Sequence, residues 1–133
     1  MVPSRADRTS LSDGLPIQIF GRKDSRDTQK ARRFFQERRA FAAYVDLTAR
    51  PIAPTELRRF AERVGVQALL DVEGKWAQEV GLRYLRMDDR ETFDRLLSDH
   101  RLLRLPLVRR GPDVTVGLDE SAWKTWLAGQ PQG

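Results

Sequence analysis

The chain contains no cysteine and a single histidine, His100. The first absence excludes disulfides, thiolate metal sites and any redox chemistry run by the protein's own thiols, and the second excludes a histidine-rich metal site. No apolar run approaches the length needed to cross a bilayer. The stretch from Met1 to Leu15 is polar, carries Arg5, Asp7, Arg8 and Asp13, and has no segment of signal-peptide type. A cytoplasmic location without a membrane partner is therefore expected. Lysine is scarce as well: only four of the 24 basic residues are lysine, and against 19 acids they leave a formal charge of +5. Such an excess would suit nucleic acid. The arginines are interleaved with acids, however, as in Arg58, Arg59, Glu62, Arg63 and in Arg83, Arg86, Asp88, Asp89, Arg90. The aromatic-plus-basic stripes that stack bases are missing too, so the pattern argues against nucleic acid as the partner.

With 133 residues, 40% of them apolar, the chain has the material for one domain with a proper core and too little for two. The expected division is a flexible tail over residues 1–15, a single domain over 16–128 and a short frayed end over 129–133. Ile17-Gln18-Ile19-Phe20, ended by Gly21, reads as a buried strand. A polar loop from Arg22 to Asp27 leads into a helix in which Ala31, Phe34 and Phe35 recur on one face. Ser25, Asp27 and Thr28 can each accept a bond from its first N–H groups, which leaves its first residue open. Phe41 to Leu47 reads as a second strand.

Pro51 and Pro54 then break the chain, and Leu57, Phe60, Ala61 and Val64 line a helix that Gly65 can end in a left-handed cap. Shorter helical pieces are expected at Val66 to Leu70 and around Trp76 to Val80. Asp88 and Glu91 have capping-box spacing ahead of a helix carrying Phe93, Leu96, Leu97 and His100, where His100 would complement the C-terminal dipole. Leu105-Pro106-Leu107-Val108 returns to strand character, Gly111-Pro112-Asp113 is a turn, and Val114 to Leu118 completes a hairpin. Asp119 can cap a closing helix with Trp123, Trp126 and Leu127 on its apolar face. Trp76, Trp123 and Trp126 read as packing residues rather than a ligand stack.

This order of elements is that of an α/β, thioredoxin-like fold: a mixed four-stranded sheet flanked by helices, with a helical insert between the second and third strands. Three segments narrow it: Ile17 to Gly21 with Lys30-Ala31-Arg32-Arg33-Phe34-Phe35, Gly65-Val66-Gln67-Ala68-Leu69-Leu70, and Leu102 to Val108. Together they resemble the arsenate reductase and Spx family over about Pro16 to Leu127. The resemblance implies a nucleophilic cysteine just before the first helix, where the helix N-terminus lowers a thiol pKa and attracts oxyanions. Here that position is Ser25, whose hydroxyl is not ionised near neutrality without a base. The resemblance also leads us to expect anion-holding arginines where the chain has Asp71, Leu105 and Leu118. Arg104 is displaced by one position, which in a strand turns it to the other face. These losses argue against arsenate reduction.

Arg22, Lys23, Ser25, Arg26 and Thr28 remain a candidate anion or ligand site at the helix N-terminus, with Asp24 and Asp27 partly cancelling its charge. Pro106 is expected to be the cis-proline that lines the groove of such folds. Two functions are compatible with this pattern. One is a noncatalytic binding or regulatory module that recognises a protein partner, for which the Spx branch points to the transcription machinery and the insert from Pro54 to Val80 offers a face. The other is an enzyme in which Ser25 stabilises the thiolate of glutathione or a related thiol ligand. No metal or resident cofactor is expected, glutathione being the one ligand the second reading names.

Overall fold

The alternating apolar residues of the first strand face two different helical layers, and that division organises the molecule. The computed structural model describes residues 15–79, 81 and 87–128. The elements are β1 (Ile17–Gly21), α1 (Arg26–Glu37), β2 (Ala42–Asp46), α2 (Pro54–Val64), a 3-10 turn (Val66–Leu69), α3 (Lys75–Glu79), α4 (Asp89–Ser98), a second 3-10 turn (His100–Leu102), β3 (Leu107–Arg110), β4 (Asp113–Val116) and α5 (Glu120–Ala128). The sheet order is β2-β1-β3-β4. β1 runs parallel to β2 and antiparallel to β3, and β3 pairs antiparallel with β4. This is the thioredoxin-like arrangement, a mixed sheet with helices on both faces and a helical insert after β2. All but residue 15 of the expected tail over 1–15, the expected frayed end over 129–133, and Val80 lie outside the described residues.

Ile17 and Ile19 of β1 and Val108 of β3 share a cluster with Ala31, Phe34 and Phe35 of α1 and Trp123 of α5. One residue along each strand, Phe20 and Leu107 join the opposite cluster with Leu57 and Phe60 of α2, Leu69, and Leu96 of α4. The period of two has sorted the strand residues between the layers. Trp123 is fully buried and donates its Nε1–H to Thr115 Oγ1 at 2.8 Å, so its one polar atom is satisfied in the core. On the other face, Arg109 bonds both carboxylate oxygens of Glu56 on α2, together with Gln18 Oε1 and the carbonyl of Gly111. These four hydrogen bonds tie α2, β1 and the hairpin together.

The helix ends show where local chemistry sets the boundaries. Pro54 opens α2, and Gly65 closes it at φ 87, ψ 141. The expected left-handed cap is therefore a positive-φ glycine with extended ψ, which redirects the chain into the 3-10 turn. α4 starts with the complete capping box, Asp88 Oδ1 accepting from Glu91 N–H at 2.8 Å and Glu91 Oε1 accepting from Asp88 N–H at 3.1 Å. α4 ends sooner than its pattern suggested. Asp99 breaks the helix at φ −145, and its carboxylate accepts the Arg101 N–H, so His100 starts a separate turn instead of sitting in the last helical turn.

The strand read at Leu105 to Val108 begins later, at Leu107, since Pro106 has no N–H to give to a ladder; the Leu105–Pro106 bond is cis, as expected. β4 likewise ends at Val116, before Gly117 at φ 78. Ahead of the proline, Leu70 and Leu103 form an isolated antiparallel bridge, flanked by Asp71 N–H to Leu102 O and Arg104 N–H to Leu69 O, both at 2.8 Å. The insert is thereby fastened to the segment that carries the cis-proline.

Candidate functional site

The polar loop after β1 turns tightly at its end, where Ser25 N–H donates to Arg22 O at 3.1 Å. Ser25 is the N-cap of α1: it lies in extended geometry, φ −86 and ψ 118, and its Oγ accepts the Thr28 N–H at 3.2 Å. Of the three residues the sequence left open as the cap, the first takes the role. The hydroxyl is half-buried at the edge of a cleft of about 240 Å³. Arg22 and Arg26 border this cleft from the loop and the first turn of α1, and Arg101 borders it from the turn before the cis-proline. Two carboxylates, Asp27 and Asp71, share the wall with them, and Leu103 and Leu105 provide its apolar side.

Asp71 reaches this wall beside Leu103 and Leu105 because the bridge between Leu70 and Leu103 fastens its segment to theirs. Arg104 lies between the two leucines and is directed elsewhere, its side chain close enough to Gly117 that a Cβ there would lie 3.6 Å from Arg104 Cδ. Asp71 Oδ2 lies over Gly74, where a Cβ would come within 2.5 Å of it.

The cleft's cations are largely engaged already. Arg22 Nε pairs with Asp24 at 3.0 Å. Arg101 forks both oxygens of Asp99, at 2.9 and 3.1 Å, while its guanidinium stacks 3.6 Å from the Trp76 ring centroid. Burial alone would raise the Asp99 pKa, but the bonds from Arg101 and from Trp76 Nε1 outweigh it and hold the carboxyl below the ordinary range.

Not every residue of the candidate set comes to the cleft. Thr28 does not contribute its side chain: that is fully buried, packed so tightly on Gly21 that a Cβ there would sit 2.3 Å from Thr28 Oγ1. Only its backbone N–H takes part, in the cap. Lys23 is exposed and lies outside the lining, acting instead on Asp46, whose pKa is held down first by its bond from Thr48 Oγ1 and less strongly by Lys23 and His100. Pro106 is buried and is not among the residues that line the cleft, whereas Leu105 is.

Arg101 and His100 were not foreseen in this region. His100 was expected to close the helix, and only the earlier break at Asp99 brings the two residues back to the first loop. Burial pushes the His100 pKa down, and the nearby Arg22 guanidinium adds to the effect. His100 does not line the cleft, and no hydrogen bond joins it to Ser25 among the described residues. With no base on its hydroxyl, Ser25 can accept and donate hydrogen bonds but is not an activated nucleophile. Among the described residues no cluster of carboxylates or histidine could hold a metal ion, and no helix is long and apolar enough to cross a membrane.

A protein-family model described as the ArsC family matches residues 20–126. The chain belongs to the ArsC family. No curated protein sequence matches it. Among solved structures, this ArsC-family chain is similar to a putative ArsC family related protein from Bacteroides fragilis, at 18% identity and a TM-score of 0.76, over 85% of this chain and 98% of that one. It is also similar to a protein from Staphylococcus aureus COL, at 24% identity and a TM-score of 0.70, over 84% and 98% of the two chains. An arsenate reductase from Vibrio cholerae superposes with a TM-score of 0.67 at 13% identity, over 77% and 90%. At these identities the likenesses show the fold. With no cysteine anywhere in the sequence, the chain lacks the thiol that the family's reductase chemistry needs.

Proposed function

We propose that this ArsC-family protein is a noncatalytic binding or regulatory module whose ligand is a protein partner. The observation that carries the reading is the state of the cleft at the head of α1. Its hydroxyl serves as a helix cap, Asp71 and Leu105 stand where arginines were expected, and two of its three arginines are paired with Asp24 and Asp99. A groove of about 360 Å³ between α2 and α4 supports the reading, with Ala61, Gly65, Val66 and Phe93 along it and Arg58, Glu62, Asp89 and Arg90 around it. Apolar floors with charged rims suit protein recognition. The Spx branch of the resemblance suggests a partner in the transcription machinery.

The second reading, a thiol-ligand enzyme, draws on one feature. Ser25 Oγ accepts the Thr28 N–H and still has its own proton to donate toward a ligand thiolate at the cleft. Calorimetric titration with glutathione separates the two. The binding-module reading expects no heat of binding, and a partner captured by the wild-type chain but not by Arg90→Glu. Glutathione binding that disappears in Ser25→Ala would overturn it in favour of the thiol-ligand enzyme.

A further inference from the structure

β2 ends the sheet, and its bonds to β1 settle which of its peptide groups are left over. Leu47 N–H donates to Gly21 O at 2.9 Å, so the peptide groups of Leu47 face β1. In a parallel pair every second residue turns the same way, so Ala43 and Val45 also serve β1, whereas the N–H and C=O groups of Ala42 and Tyr44 point to the open side. Among the described residues no strand covers that side. An uncovered edge is a template for another extended chain.

Beside the edge, on the face that carries α1, lies a groove of about 430 Å³ floored by Ile19, Phe35 and Tyr44. Phe41, 84% exposed, stands at its mouth. The charged residues in its lining are Arg32 and Arg39, and neither is paired with a carboxylate among the described residues. The Arg32 guanidinium carbon lies over the Tyr44 ring, 4.0 Å from its centroid, which keeps the charge beside the strand.

Arg39 is fixed by a different device. After α1 the Ala40 N–H bonds Phe35 O at 2.9 Å and the Arg39 N–H bonds Gln36 O at 3.0 Å, the pair of bonds that places the intervening residue in the left-handed region. That residue is usually glycine, yet here it is Arg39, at φ 56. A residue kept in this conformation against its own preference points to a use for its side chain. At the other end of β2 the acids have cations beside them, Asp24 paired with Arg22 and Asp46 near Lys23, so the uncompensated positive charge of the edge lies at Arg32 and Arg39.

We propose that the open edge of β2 binds an extended acidic peptide segment of a partner protein, which pairs with the backbone of Ala42 and Tyr44 and sets its carboxylates on Arg32 and Arg39. Free carboxylates at alternate positions of such a strand fall on the groove side, and an apolar residue at its end meets Phe41. A second copy of this chain is a poor occupant, because it would bring its own Arg32 and Arg39 against the first pair. The surface is separate from the cleft at Ser25 and from the groove between α2 and α4, so this proposal stands or falls independently of the function proposed above.

The test titrates the 15N-labelled full chain with an octapeptide of alternating glutamate and valine, followed by NMR, beside a lysine-for-glutamate counterpart and a form methylated at every peptide nitrogen. The acidic peptide is expected to shift the amide signals of Ala42 and Tyr44, while the lysine peptide and the methylated peptide leave them in place. Arg32→Gln and Arg39→Gly should each weaken the binding, by roughly three- to fivefold. Arg39→Gly is the informative variant, since glycine takes the observed φ without strain and its melting temperature should stay level or rise.

Equal binding of the methylated peptide would reduce the site to charge attraction and overturn the proposal. So would equal binding of the lysine peptide, or the absence of any shift at millimolar peptide. Concentration-dependent dimerisation that moves the same amides without peptide would assign the edge to a second copy instead, and overturn it too.

Discussion

Ser25 Oγ accepts the backbone N–H of Thr28 at 3.2 Å, so the hydroxyl at the position where the resemblance led us to expect a nucleophile is the cap of α1. Replacing it should therefore cost stability. Ser25→Ala is expected to lower the free energy of unfolding by about 1 kcal/mol, and Ser25→Asp, which can also cap, by much less. Urea denaturation measures both, and equal stability of wild type and Ser25→Ala would show that the hydroxyl does not act as a cap.

Gly21 and Thr28 are in closer contact than any side chain at position 21 would permit. A Cβ there would meet three Thr28 side-chain atoms between 2.3 and 2.9 Å, all of them in a fully buried residue. Gly21→Ala is predicted to destabilise the protein by about 1–3 kcal/mol, the usual cost of overpacking. Thermal melting reads this directly, and an unchanged melting temperature would mean that α1 can move away from β1.

His100 supplies a pH dependence with a definite sign. Burial first, and the Arg22 charge second, favour the neutral ring, so the folded pKa lies below the ordinary value of about 6.5. As pH falls, the unfolded chain takes up the proton first. The contribution to stability is thus complete above about pH 6.5 and is lost as pH falls from there through the folded value. An NMR titration of the imidazole should give a midpoint below 6.5 that rises in Arg22→Gln. A midpoint above 6.5 in the wild-type protein would contradict the placement.

Glu56 and Arg109 are both mostly buried, each with a side chain 16% exposed. Glu56→Ala leaves the guanidinium with only Gln18 and a carbonyl as partners, and is predicted to destabilise by about 3 kcal/mol, toward the low end for breaking a buried pair. Denaturation of the variant would show this, and a loss under about 1 kcal/mol, the scale of an exposed pair, would place the pair effectively in solvent.

Much of this architecture is legible in the sequence because it rests on local signals. The short apolar run of β1 ended by Gly21, the apolar spacing of α1, Pro54 and Gly65 around α2, and the Asp88 and Glu91 box each name an element from neighbouring residues alone. So does the family resemblance carried by Leu102 to Val108, which led to the cis-proline. The site is less legible, since its walls come from segments brought together only by the fold. Arg101 enters through a helix break at Asp99, which has no strong stop signal such as glycine or proline. Thr28 looked like a ligand residue because threonine is a good cap and a good anion contact, but at its position in α1 the side chain points into the contact with Gly21. The unusual φ of Arg39 had no sequence signal either, since arginine does not announce a left-handed residue.

The central claim is that the cleft at Ser25 has lost its reductase chemistry through the residues around the nucleophile position as well as at it. The most direct measurement is arsenate reduction by Ser25→Cys in the presence of a thiol reductant, with alkylation confirming that the new thiol is reactive. The account predicts a reactive thiol and no arsenate turnover above the wild-type background, because Asp71 and Leu105 stand where anion-holding arginines were expected. Turnover comparable to that of an active arsenate reductase assayed alongside would contradict it.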